Sequence, residues 1–318
     1  MVKTAADPLM NIPSLNDFER TFNDPVWLEV ANTILRRHRI EFTDLKRAEH
    51  GENIVVLVDD TFVLKIYTPK KNGFNRERLA LEFAQGRTTL PIPQIAAEGE
   101  IEGFYYLIID RLPGRLMLRP EWLTLEQPAQ IALLTQLAYG LKDLHSRDAS
   151  GFHFDWREFI EVQVESVLER QTEAGGNPEW LESLPGYLET HLSLLPDHPP
   201  LVFMHGDVHF GNLRVTEDSD RPVISGLFDF ADSLKGFHEY EFVAIGVLMI
   251  QGQGDLQREF FRAYGYLDAE INLELRRRLM LLTILYEHSS LKRYAERLGP
   301  GSEKLSLEEL ERAIWNFV

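Results

Sequence analysis

The sequence predicts an α+β chain in two parts, a small β-rich part followed by a larger helical one, divided as residues 1–110 and 111–318. Three observations lead to this division. Short apolar runs with strand-like alternation fill much of the first third, as half-buried strands do. A cluster of breakers, Asp110-Arg111-Leu112-Pro113-Gly114, then has the composition of a connector or hinge. Beyond it apolar residues recur at three- and four-residue intervals, which is the period of a helix face.

In the β-rich part, Asn53–Val58, the turn Asp59-Asp60 and Thr61–Tyr67 form a predicted hairpin. A charged helix is expected from Phe74 to Gln85, ended by Pro91-Ile92-Pro93. Gln94–Ala97 and Phe104–Ile109 are short enough to be strands. After the connector, Ile131, Leu134, Leu137, Leu141 and Leu144 share one face of a helix ending near His145. Trp156–Gln171 and Leu181–Leu195 are further helices, separated by the loop Gly175-Gly176-Asn177-Pro178. A strand is expected at Leu201–Met204, and from Glu239 to Phe317 the pattern is helical, broken near Gly252–Gly254 and Gly299–Gly301.

Composition narrows the function classes. The chain contains no cysteine, which excludes disulfides, thiolate chemistry and cysteine-based zinc sites. Its formal charge of −17 argues against nucleic acid as a partner and favours a cationic small molecule. Residues 1–14 do not read as a signal peptide, and no stretch reaches the ~20 apolar residues of a membrane span. A cytoplasmic location without membrane association is the expectation. Nothing in the sequence fixes an oligomeric state.

The chemistry concentrates in His205-Gly206-Asp207-Val208-His209-Phe210-Gly211-Asn212. Asp207 and Asn212 stand in D-x-x-x-x-N spacing, as in a kinase catalytic loop. A carboxylate beside an acceptor hydroxyl orients it and takes its proton, while a neutral amide oxygen ligates Mg²⁺ without adding charge beside phosphates. Leu213–Val215 and Val223–Phe228 flank a turn at Glu217–Pro222. Folded as a hairpin, they bring Asn212 and Asp229 to one open end, where both oxygens converge on the metal. His205 is expected to hydrogen-bond the loop backbone. Lys65 lies in an apolar strand and needs an anionic partner, which the α/β-phosphates of ATP supply. Glu77 on the following helix is placed to hold it, with Glu82 as the competing choice.

The loop from His205 to Asn212, paired with Asp229-Phe230, resembles the motifs of the aminoglycoside phosphotransferase/choline kinase superfamily, which has a bilobal protein-kinase-like fold. The similarity extends from about residue 45 to 245, and Thr89–Pro93, Gly151-Phe152, Trp156–Ile160 and Glu239–Ala244 resemble the hygromycin B phosphotransferase branch. The resemblance implies an ATP- and Mg²⁺-dependent transfer of phosphate to a small-molecule hydroxyl, with GTP not excluded as donor. It makes Asp207 the general base and Asn212 and Asp229 the Mg²⁺ ligands. Lys65 then contacts phosphates, Glu77 orients it, and backbone groups of Asp110 and Leu112 bind the base. No G-x-G-x-x-G loop is present, so Ala48–Asn53, with Gly51, must cover the phosphates. The D-F-G position reads Asp229-Phe230-Ala231, followed by Asp232.

An aminoglycoside or related polyhydroxy amine is the first candidate acceptor. Asp232, Glu239, Glu241 and Glu287 are the acidic candidates for gripping its ammonium groups, although Glu241 is also read as tying its helix to the catalytic loop. Two alternatives compete with this reading. A metal-dependent hydrolase would use His205, Asp207 and His209, with Asp229 and His238 available later in the chain, but leaves Asn212, Lys65 and the connector unexplained. A pseudokinase would bind nucleotide without turnover.

Overall fold

The protein, seen here as a computed structural model, is described for residues 12–48, 51–219 and 221–318. Glu49 and His50 of the expected phosphate loop, and most of the N-terminal stretch read for a leader, lie outside those residues. The described chain divides into two compact units. One holds the residues up to Gln85 together with Ile92–Pro113, and the other holds Gly86–Pro91 together with Gly114–Val318.

The first unit begins with a short helix α1 (Phe18–Thr21) and a longer one, α2 (Val26–Arg37). Strands β1 (Leu45–Arg47), β2 (Ile54–Val58) and β3 (Phe62–Ile66) follow, then helix α3 (Gly73–Ala84) and strands β4 (Ile95–Ile101) and β5 (Phe104–Asp110). The five strands form one antiparallel sheet in the order β1-β2-β3-β5-β4. The predicted hairpin is present with Val58 paired to Phe62 across the turn.

Helix α2 corrects the reading of the first third as mostly strands. Trp27, Val30, Ala31, Ile34 and Leu35 recur at helical spacing and are buried with Ile54, Val56, Leu64, Ile66, Phe104 and Ile108. An antiparallel sheet with an apolar face needs a cover, and α2 supplies it. The Trp27 ring meets Phe104 edge-on, with centroids 5.3 Å apart.

The second unit opens with β6 (Arg115–Leu116), α4 (Arg119–Thr124) and α5 (Gln127–His145). Leu134, Leu137, Leu141 and Leu144 of the predicted face are buried on α5, as is Leu133 beside them. Gly140 lets Leu90 settle against this helix, since a Cβ there would stand 2.2 Å from Leu90 Cγ. Thr88 adds a 2.9 Å hydrogen bond to the Gly140 carbonyl. Helices α6 (Trp156–Glu173) and α7 (Pro178–His191) come next, then β7 (Leu201–Met204), β8 (Leu213–Asp218), β9 (Arg221–Leu227) and β10 (Leu234–Phe237).

The C-terminal run contains α8 (Phe242–Ala244), α9 (Gly254–Tyr264), α10 (Leu273–Leu285), α11 (Leu291–Leu298) and α12 (Leu307–Ile314). Ile245–Ile250 continues α8 as a π-helix. Both expected breaks are there, with Gly252, Gly299 and Gly301 at positive φ. Two further breaks, after Tyr264 and after Leu285, interrupt what periodicity alone reads as continuous. Among the described residues no helix is long and apolar enough to cross a membrane.

Candidate active site

Two antiparallel strand pairs position the loop 205–212. Where β7 meets β10, Met204 pairs with Leu234, and where β8 meets β9, Leu213 pairs with Leu227. The first pairing sets the start of the loop beside Ser233. The second brings Asn212 opposite Phe228, whose N–H donates to the Asn212 carbonyl at 3.0 Å. Asp229 follows at once in a left-handed conformation (φ 67°, ψ 66°), so the hairpin register does carry Asn212 and Asp229 to the same end. Gly206, with φ of 90°, lies so close to this turn that a Cβ would fall 2.1 Å from the Asp232 carbonyl oxygen. Only glycine fits that approach.

The loop backbone is held from below. Glu241 is buried, and its two carboxylate oxygens accept the N–H groups of His205 at 2.7 Å and Gly206 at 2.9 Å. His145, at the end of α5, stands 3.4 Å from Glu241 through Nε2 and bonds the Tyr264 hydroxyl through Nδ1 at 2.8 Å. His205 plays the backbone role expected of it. Its Nδ1 accepts the Asp207 N–H at 3.2 Å, so its Nε2 carries the proton and donates to the Phe228 carbonyl at 3.0 Å. Phe230 packs edge-on to the same ring at 4.5 Å.

Asp207 is mostly enclosed, its side chain 22 % exposed. Oδ2 lies 3.1 Å from His209 Nε2 and 3.2 Å from the Asn212 amide nitrogen. Oδ1 lies 3.2 Å from the Tyr286 hydroxyl, which also bonds the Gly206 carbonyl at 2.8 Å. Burial alone raises the pKa of this carboxyl. The hydrogen bond from His209 Nε2 outweighs burial and holds it below the ordinary carboxylate value. The group is therefore a carboxylate throughout the neutral range.

Asn212 is 6 % exposed, and its amide nitrogen is committed to the Asp207 carbonyl at 2.9 Å as well as to Oδ2. That commitment orients the amide and leaves its oxygen as the donor atom for a ligand. With Asp229 this gives one neutral and one charged oxygen. The pair fits Mg²⁺, which takes few protein ligands and completes its shell with water and phosphates.

In the first unit, Lys65 on β3 and Glu77 on α3 form a buried ion pair. The Tyr67 hydroxyl donates to the same Glu77 oxygen at 2.6 Å, and the Lys65 Nζ lies 5.6 Å from the Tyr67 ring centroid. Glu82 instead pairs with Arg78 at 2.8 Å on the exposed side of α3, so geometry separates the two glutamates that sequence spacing left competing. Asp110 ends β5, and its N–H is taken by the Gln94 carbonyl at 3.0 Å. Leu112, two residues on, is buried. Gly51 adopts φ of 131° in the loop ahead of β2.

The four acidic acceptor candidates separate. Glu239 is buried, gripped by Arg278 at 2.6 and 2.7 Å and by the Tyr266 hydroxyl at 2.8 Å. Glu241 is spent on the loop amides, as its second reading anticipated. Both carboxylates serve as internal ties. Asp232 is 37 % exposed on its side chain and lies 3.8 Å from His288. Glu287 is half-buried, with its N–H on the Tyr240 hydroxyl at 2.9 Å.

Sequence reading missed Tyr286 and His145, which reach the loop from 79 residues downstream and, through Glu241, from 96 residues upstream of that glutamate. No local motif marks either. The hydrolase alternative loses its first ligand, because both His205 ring nitrogens are engaged with backbone. His238 belongs to another network, on the Tyr266 hydroxyl at 2.8 Å. Among the described residues no three His, Asp or Glu side chains are grouped to hold a metal by themselves.

The profile of a family described as "Phosphotransferase enzyme family" matches residues 44–281. No curated protein matches the chain significantly. Among solved structures it is similar to the GDP and kanamycin complex of the aminoglycoside phosphotransferase APH(2'')-IIIa. That likeness has 17 % identity and a TM-score of 0.66, and covers 92 % of this chain and 100 % of that one. For ADP-bound APH(2'')-Ib the identity is 18 % and the TM-score 0.60, covering 90 % and 98 %. For the streptomycin–ATP–APH(2'')-IIa ternary complex they are 18 % and 0.59, covering 82 % and 91 %. At these identities the structural likeness speaks for the fold, and the family profile speaks for descent. The chain belongs to the phosphotransferase enzyme family, within the aminoglycoside phosphotransferase/choline kinase superfamily, and is a small-molecule kinase of protein-kinase-like fold.

Proposed function

We propose that this kinase moves the γ-phosphoryl group of ATP to a hydroxyl of a small molecule, with Asp207 as the general base. The observation that carries the reading is the state of Asp207. It is an enclosed carboxylate, held ionised and in a fixed rotamer by donors from its own loop, one of them the amide nitrogen of Asn212 five residues on. In the transfer, the acceptor's O–H proton passes to Asp207 as its oxygen bonds to the γ-phosphorus. The bond to the β,γ-bridging oxygen breaks, and ADP leaves.

The remaining assignments follow the same reading. Asn212 and Asp229 hold Mg²⁺, which when bound neutralises charge on the phosphates. Lys65 meets the α/β-phosphates and Glu77 keeps it extended. The Asp110 carbonyl and the Leu112 N–H bond the base, and the loop carrying Gly51 covers the phosphates. Such hinge contacts are backbone contacts, so GTP remains open as donor, and the similar structures include GDP, ADP and ATP complexes. For the acceptor, an aminoglycoside or related polyhydroxy amine is proposed. The charge of −17 favours a cation, kanamycin and streptomycin occur in the similar structures, and Asp232 and Glu287 are the acidic side chains we assign to meet an ammonium.

The test is Mg²⁺-dependent ADP release from ATP across aminoglycosides, choline-like alcohols, sugars and hydroxy amino acids, with Asp207→Asn as the control. A hit abolished by the substitution supports the reading. A hit that Asp207→Asn leaves intact removes Asp207 from the chemistry.

A further inference from the structure

His209 stands two residues after Asp207 in the same loop. Its ring is fixed at both nitrogens. Nδ1 accepts the Gly211 N–H at 2.9 Å, so the proton sits on Nε2, 3.1 Å from Asp207 Oδ2. The ring lies directly on the Gly211 peptide. A Cβ at residue 211 would be 2.6 Å from His209 Cε1 and 2.9 Å from Nδ1. Glycine at 211 is therefore what gives the imidazole its place.

The two oxygens of Asp207 are consequently unequal. Oδ2 receives two donors, His209 Nε2–H and the Asn212 amide at 3.2 Å. Among the described residues Oδ1 has one hydrogen-bonding neighbour, the Tyr286 hydroxyl at 3.2 Å, whose single proton is shared with the nearer Gly206 carbonyl at 2.8 Å. Oδ1 is thus the oxygen with lone pairs to offer a hydroxyl.

We infer that His209, seated on Gly211, is a positioning residue for the transfer. It pins Asp207 Oδ2 so that Oδ1 is the oxygen presented to the acceptor hydroxyl. The inference rests on the reading of Asp207 as the base. Both ring nitrogens are committed in this arrangement, Nε2–H to the carboxylate and Nδ1 to the Gly211 amide. It acts only through the carboxylate. Because the ring is partly exposed, 29 % on its side chain, replacing it need not collapse the fold.

The experiment measures steady-state ADP release with Mg²⁺-ATP, using kanamycin and water alone as acceptor probes. It compares wild type, Asp207→Asn, His209→Leu, His209→Gln and Gly211→Ala, with thermal midpoints recorded for each. His209→Leu removes the donor and is expected to lower kcat about 10- to 100-fold while leaving KM for ATP within about 2-fold. His209→Gln keeps an N–H donor at similar reach and is expected to recover about 5-fold or more of that loss. Gly211→Ala displaces the ring and should reproduce the His209→Leu defect. The inference is overturned if His209→Leu turns over like wild type, or if His209→Gln is no better than His209→Leu at an unchanged thermal midpoint. Full turnover in Asp207→Asn would instead sink the reading of the base itself.

Discussion

Replacing Glu241 by Gln tests whether the loop is held as described. The carboxylate accepts two backbone N–H groups, at 2.7 Å from His205 and 2.9 Å from Gly206, in a fully buried position. Hydrogen bonds to a charged group contribute about 1.5–3 kcal/mol each. Glutamine keeps one of them as a neutral bond and turns an NH₂ group toward the other N–H, leaving a buried donor without an acceptor at a further cost of about 1–3 kcal/mol. The net loss is about 3 kcal/mol, a large share of the ~5–15 kcal/mol that stabilises a typical fold. Urea unfolding should show it as a midpoint lowered by about 1 M. Turnover should also fall, because a loop shifted by about 1 Å can cost 10²-fold. A variant within about 0.5 kcal/mol of wild type, and equally active, would refute the assignment of Glu241 as the loop's anchor.

Other consequences follow from individual groups. Burial pushes the pKa of His238 down to about 3, so between pH 3 and the ordinary value of 6.5 the unfolded chain binds the extra proton and stability falls as pH falls. The slope is about 1.4 kcal/mol per pH unit, hence about 2 kcal/mol between pH 6.5 and 5. Denaturation as a function of pH should lose that component in His238→Phe, and identical slopes would contradict it. Asp229→Ala should weaken Mg²⁺-dependent ATP binding about tenfold or more, while binding measured with EDTA present should barely change. Equal affinities of wild type and variant with Mg²⁺ would remove Asp229 from the metal site. Glu77→Gln takes the charge from the partner of Lys65 and should raise KM for ATP about 3- to 30-fold, whereas Glu82→Gln on the exposed side of α3 should change it little.

The parts of this molecule that could be read in sequence are those whose chemistry is local. The hairpin 54–66 is visible because alternation sets both its strands and its turn. Asp207, Asn212 and Asp229 can be placed together because one hairpin register connects them, with Leu213 opposite Leu227. What lies beyond sequence depends on contacts between distant segments. Glu239 and Glu241 look alike as exposed-type acids in sequence. The fold gives one to Arg278 and the other to the amides of residues 205 and 206. Tyr286 shows no motif, since its place is set by α10 ending where the Gly206 carbonyl can be reached. Helix α2 does carry an amphipathic pattern, from Trp27 to Leu35. Neighbouring strand-like runs obscured it, and the need to cover the sheet's apolar face explains why it wins.

The most direct test of the central claim is a comparison of wild type and Asp207→Asn, made for ADP release and for ATP binding on the same preparations. If Asp207 is the base, the variant should lose turnover about 10²-fold or more while binding Mg²⁺-ATP with nearly unchanged affinity. Turnover that survives the substitution, or turnover lost only in step with nucleotide binding, would contradict it.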